Sequence, residues 1–156
     1  MLDKEQILSE TLVKNTFDVR VDNDNAFIFT LSDLHIGIGN KQYIKDIIEF
    51  ISKLDNSYVI LGGDILNNTT KTSLGSVLEE YATGEEQVKL AVELLKPIKD
   101  KILAMIEGNH EHRTSDMSYI SLTQMIATLL GIPDKYKYEL AIGYISVGKD
   151  NCYTYV

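Results

Sequence analysis

Residues 102–113 read ILAMIEGNHEHR: an apolar run stops at Gly108 and gives way to Asn109, His110, Glu111 and His112. A short continuous apolar run marks a strand buried on both faces, and ligands of open α/β sheets collect in the loops at the strands' carboxyl ends. The stretch predicts a buried parallel strand feeding a loop that carries chemistry. The same design occurs twice upstream, in residues 26–35 (AFIFTLSDLH) and 57–64 (SYVILGGD). One acid or amide after a strand is ordinary turn or cap chemistry. Three such ends in order, holding all three of the chain's histidines, predict an α/β fold whose strand ends converge on one site.

Composition bounds what that site can serve. The 156 residues suit one domain, which would bury about 68–70% of the surface its unfolded chain exposes. With 44% hydrophobic and 24% charged residues, a packed globular core is expected rather than disorder. The formal net charge of −8, from 15 Lys and Arg against 23 Asp and Glu, works against non-specific nucleic-acid binding. A phosphate substrate is compatible with it, because a bound metal can reverse the local field. Cys152 is the one cysteine, so no internal disulfide forms, and the opening MLDKEQ lacks a cationic-then-apolar leader; both predict a reducing, cytoplasmic setting. No apolar run approaches the roughly 18 residues of a membrane span.

Outward from the three blocks, residues 1–14 read as an amphipathic helix with Ile7, Leu8 and Leu12 on one face, packed on the domain's flank, and residues 21–25 (VDNDN) as a turn. Asn40 is an N-cap, and Ile44, Ile47, Ile48 and Ile51 mark a helix to about Leu54. Gly37 and Gly39 do not make a dinucleotide loop, since the third glycine would fall at Gln42. A polar loop over 67–73 and a short helix over 74–81 follow. Thr83 and Glu86 form a capping box for a helix carrying Val88, Ala91, Val92 and Leu95 that ends near Pro97. Leu122, Met125, Ile126, Leu129 and Leu130 give another helix, closed by Gly131 with Pro133 beyond. Residues 141–147 and 152–156 read as strands around a hairpin-like turn.

Asp33 and His35 are one residue apart, so on an extended backbone they face the same side, as two ligands of one metal must. Asp64 and Asn109 add a carboxylate and an amide oxygen from neighbouring strand ends. Mixed histidine and oxygen donors suit Mn, Fe or Zn better than Ca.

These residues resemble the calcineurin-like metallophosphoesterases, whose blocks run Asp-x-His, Gly-Asp-x-x-Asp/Asn, Gly-Asn-His-Asp/Glu, a His block, then Gly-His-x-His. Asp33-Leu34-His35, Gly63-Asp64-Ile65-Leu66-Asn67 and Gly108-Asn109-His110-Glu111 match the first three. The resemblance implies a four-layer α/β sandwich of two mixed β-sheets flanked by helices, with two divalent metal ions. It implies that Asp33 and His35 hold the first metal, Asp64 bridges both, Asn109 binds the second, and His110 is a catalytic non-ligand that stabilises or protonates the phosphate. Asn67 and Glu111 stand beside these as ligand-orienting or capping residues, and Arg113 and His112 as phosphate-contacting or solvated ones. The implied substrate is a phosphoester, first of all a phosphodiester in nucleic acid or a nucleotide.

The later His blocks need histidines the chain does not have, its three being His35, His110 and His112. The sequence therefore reads as the amino-terminal portion of the family's domain, with residues 1–25 as helix and linker and residues 26–156 as a domain incomplete at its carboxyl end. Weak occupancy of the second metal is expected, with His112 as a substitute ligand, and an open sheet edge that favours homo-oligomers. Two other readings stay open. One is a non-catalytic module that binds a partner protein, which the missing ligands favour. The other is a protein serine/threonine phosphatase, against which stands Gly-Asp-Ile-Leu-Asn-Asn in place of that branch's Gly-Asp-x-Val-Asp-Arg-Gly.

Overall fold

In the computed structural model, which describes residues 15–70, 73, 79–149 and 151–155, the first element is one that the turn-rich look of this region conceals. Strand β1 (Thr16–Val21) occupies what reads as linker, with exposed Asp18 and Arg20 alternating with Phe17, Val19 and Val21. That alternation is a strand's period of two, so the linker shrinks to residues 22–25. The helices expected over 1–14 and 74–81 fall wholly and largely outside the described residues.

The three apolar runs become β2 (Phe27–Leu31), β3 (Ser57–Leu61) and β4 (Ile102–Ile106). They pair in parallel, and a two-residue β5 (Tyr136–Lys137) continues the sheet in the order β2-β3-β4-β5. A second sheet holds β1 beside β6 (Ile142–Val147) in parallel, with β7 (Asn151–Tyr155) antiparallel on its far side. One sheet is thus mixed, and the other is wholly parallel among its described strands.

Why the middle strands are apolar throughout is plain from their two faces. Val59, Leu61, Ile102 and Met105 point into a core built with the helices. Ile60, Leu103 and Ala104 point the other way, against Val21, Ile145 and Val147 of the second sheet. The described residues therefore supply three layers: helices, parallel sheet, mixed sheet.

The helical layer follows the sequence signals closely. Helix α1 (Lys41–Lys53) starts where the Asn40 side chain accepts the Tyr43 N–H, and it buries Ile44, Ile48 and Ile51. Helix α2 (Gly84–Leu95) has the Thr83–Glu86 capping box, and at Pro97 its chain tightens into a 3-10 turn over Lys96–Lys101. Helix α3 (Asn109–Ser118) occupies what reads as loop, because its one buried residue is the charged Glu111 and it has no apolar stripe to announce it. Helix α4 (Leu122–Leu130) is capped by Ser121 and closed by Gly131 at φ 78°, a left-handed turn that glycine adopts without cost. No helix among the described residues is long and apolar enough to cross a membrane.

Ile51 is fully buried between α1 and the sheet, while Lys45 on the same helix faces solvent. Ile51→Ala should cost about 2–5 kcal/mol in urea unfolding and Lys45→Ala less than about 0.5 kcal/mol. Equal losses would mean that α1 does not pack as described.

Candidate functional site

Strands β2, β3 and β4 end level, with Leu31 opposite Leu61 and Leu61 opposite Met105, so the three following segments begin side by side. Pairing runs on beyond the sheet. Asp33 N–H donates to Gly63 O (3.2 Å), His35 N–H to Asp64 O (3.0 Å) and Ile36 N–H to Ile65 O (2.9 Å). Asp33, His35, Asp64 and Asn68 sit at φ 55°, 43°, 51° and 44°. Each such left-handed residue costs on the order of 1–3 kcal/mol, and such strain gathers at functional sites. Asp33 and His35 are therefore not on the extended backbone that their spacing suggests. The turned backbone still brings them together, with Asp33 Oδ1 3.7 Å from His35 Nε2.

The second and third blocks touch through glycine. A Cβ on Gly63 would lie 2.7 Å from Gly108 Cα, and one on Gly108 would collide with the Asp64 side chain and backbone nitrogen. Glu111, with no solvent exposure, then locks the two segments. Its Oε2 accepts the N–H groups of Asp64 (3.0 Å) and Gly108 (3.0 Å), and its Oε1 accepts that of Leu66 (2.8 Å). Burial pushes the Glu111 carboxyl above the usual range and the nearby Asp64 charge adds to this, against the pull of the backbone N–H groups. Asn68 makes the parallel tie to α3, its Nδ2 donating to His110 O (2.6 Å) and Thr114 Oγ1 (2.9 Å). Its role has no sequence signal beyond lying next to Asn67.

On this frame His35, Asp64 and His110 each offer a ligand atom, all within 4.8 Å of one another. The two imidazoles meet edge to face at 4.4 Å between centroids. His35 Nδ1 is buried with no hydrogen-bond partner, and Asp33 stands beside the same ring. Imidazole nitrogen and carboxylate oxygen in one cluster, with a buried nitrogen left over, form a donor set that fits a divalent cation. Asn109 is the first residue of α3 and is solvent-exposed.

His110 is held from several sides. Its N–H donates to Asp64 Oδ1 (2.9 Å), and its Nδ1 lies 2.5 Å from Asn67 O. Arg113, one helical turn on, places Nη1 3.1 Å from Nδ1 and Nη2 3.0 Å from Nε2. The Asn67 side chain turns elsewhere, donating to Thr69 Oγ1 and Glu80 Oε1. Burial of Glu80 opposes ionisation, yet the donors Thr69 and Asn67 hold its carboxyl below the usual range.

His112 stays out of the cluster, so it is no substitute ligand here. Its Nδ1 is 3.6 Å from Glu107 and its ring packs edge-on against Tyr138. Glu107 is buried and accepts from Ser115 Oγ (3.2 Å), Tyr136 OH (2.9 Å) and Ser121 Oγ. Burial, with the Glu107 charge, pushes the Tyr136 hydroxyl up to about 12. This knot fixes α3, the start of α4 and β5 to the end of β4. Beside the cluster opens a cleft of about 540 Å³, lined by Asp33, His35 and Asn67 together with Ile38, Tyr43 and Ile47.

Glu111→Gln keeps the shape but turns an –NH₂ toward at least one backbone N–H. It should cost about 1–3 kcal/mol in urea unfolding of the metal-free chain. A change below about 0.5 kcal/mol would show that the carboxylate does not hold the two segments.

Comparison with curated proteins and with solved structures finds no match. A family model does match: that of the calcineurin-like phosphoesterases, over residues 28–152. The matched span runs from β2 into β7 and takes in each of the three blocks converging on the cluster. The family implies a metal-dependent phosphoester hydrolase, and that much of the chain places the protein, by sequence, among the calcineurin-like phosphoesterases.

Proposed function

We propose that this chain hydrolyses a phosphodiester in nucleic acid or a nucleotide, using two divalent metal ions. The observation that supports this most is the convergence of His35 and Asp64, with His35 Nδ1 buried and unpartnered and the His110 imidazole beside them. Asp33 and His35 would hold the first cation, Asp64 both, and Asn109 the second. Bound divalent cations supply Lewis-acid charge, which lowers the pKa of water and stabilises negative charge on phosphoryl oxygens.

The remaining work falls to the chain's own groups. Asp64 Oδ1, already accepting the His110 N–H, aligns the histidine's backbone with the cluster. His110 Nδ1 faces the Asn67 carbonyl, so Nε2 is the ring atom left to meet a phosphoryl or leaving-group oxygen. The adjoining cleft is of a size that holds small organic ligands, and half-exposed Ile38 and Tyr43 offer apolar surface to a base or sugar. The charge of −8 favours a short contact of that kind over a long nucleic-acid footprint. A reducing, cytoplasmic setting belongs to the same proposal.

Metal content and bis(p-nitrophenyl) phosphate hydrolysis test it. With Mn²⁺ added, wild type should turn over, Asp64→Asn should lose both metal and activity, and His110→Ala should keep metal while kcat falls about 10²–10⁴-fold. Metal bound in wild type with no turnover of any phosphoester would instead favour the partner-binding module.

A further inference from the structure

We propose that Arg113 grips the non-bridging oxygens of the substrate phosphate and, until substrate arrives, rests against the His110 ring. The inference rests on the phosphoesterase reading and adds to it the residue that recognises the anion.

Arg113 is half-buried one turn after His110 on α3, and its guanidinium contacts a ring and a carbonyl. No carboxylate among the described residues pairs with it. A chain with 23 acidic and 15 basic residues has acids in excess, yet this cation is left without one beside the ligand cluster. A guanidinium has five donors in a planar fork and no acceptor, and that fork matches two oxygens of a phosphate. The structure therefore holds an anion-seeking group, next to His110, with its counter-charge unassigned.

Until an anion arrives the same donors lie along the His110 ring, with Nη1 3.1 Å from Nδ1 and Nη2 3.0 Å from Nε2. A phosphate oxygen is a far better acceptor for Arg113 than an imidazole nitrogen, because the bond becomes charge-assisted at both ends. When the anion takes the guanidinium, Nε2 is released toward the reacting phosphate. Gripping substrate and freeing His110 are then one event.

The test uses the full chain loaded with Mn²⁺, with inorganic phosphate as the probe. Calorimetry should show phosphate binding weakened about 10–100-fold in Arg113→Ala, with Arg113→Lys between the two because it restores charge but not the two-pronged fork. In turnover of bis(p-nitrophenyl) phosphate, KM should rise more than kcat falls. Phosphate affinity within twofold of wild type in both variants, or no phosphate binding by wild type, would overturn the proposal. Arg113-dependent phosphate binding without hydrolysis would leave it standing and remove the hydrolase reading alone. Hydrolysis with unchanged KM in the variants would do the reverse.

Discussion

A carboxylate that never touches solvent holds this site together. The segments after β3 and β4 leave the sheet with backbone N–H groups that no strand partner can satisfy, and a buried unpaired donor costs as much as a lost hydrogen bond. Glu111 supplies both oxygens to three of them, at Asp64, Leu66 and Gly108. Two are on the second segment and one is on its own, so neither segment moves without the other. The arrangement also sets a problem of like charge, since Glu111 is pushed up partly by Asp64 and Asp33 stands next to His35. Divalent cations relieve that crowding of acids, which is why a scaffold built in this way and a metal-dependent chemistry belong together.

Close approach is what the glycines contribute. Gly63 and Gly108 lie nearly in contact, and a methyl group on either would separate the segments that Glu111 draws together. The left-handed Asp33, His35 and Asp64 are the other half of the same economy of space. On extended backbone, alternate residues would share a face but run out along the strand direction. Turned back, they converge, and the hydrogen bonds from Asp33, His35 and Ile36 to the second segment offset the strain.

The fold was legible wherever one physical signal dominated. Runs such as Ile102–Ile106, apolar on both faces because helices pack on one side and a sheet on the other, have no competing interpretation. The caps at Asn40, Thr83 and Gly131 state their helix ends in single residues. β1 was hidden because its alternation is diluted by Asp18 and Arg20, and it finds its partner far along the chain at β6. Helix α3 was hidden because tertiary bonds, not an apolar face, stabilise it: Glu111 accepts from below, and Asn68 donates to the His110 carbonyl. In the site, residue types and order named Asp33, His35, Asp64 and His110 as neighbours. The ties made by Asn68 and Glu107 depend on three-dimensional proximity and leave no mark on spacing.

The two ends of the proposed site are not equally built. Around His35 there is a half-buried ring whose Nδ1 is wholly buried, beside an exposed carboxylate and a cleft wall, so that nitrogen is fixed before any ligand arrives. Around Asn109 there is a solvent-exposed amide at the start of a polar helix. A pre-organised donor set loses less entropy on binding than one that must be ordered, so the His35 end is the stronger half of the site. His110 sits between these halves, tied by its backbone to Asp64 and by its ring to the Asn67 carbonyl and Arg113. An anion arriving there would meet the ring of His110 and the guanidinium of Arg113 together, beside the donors that are already in place.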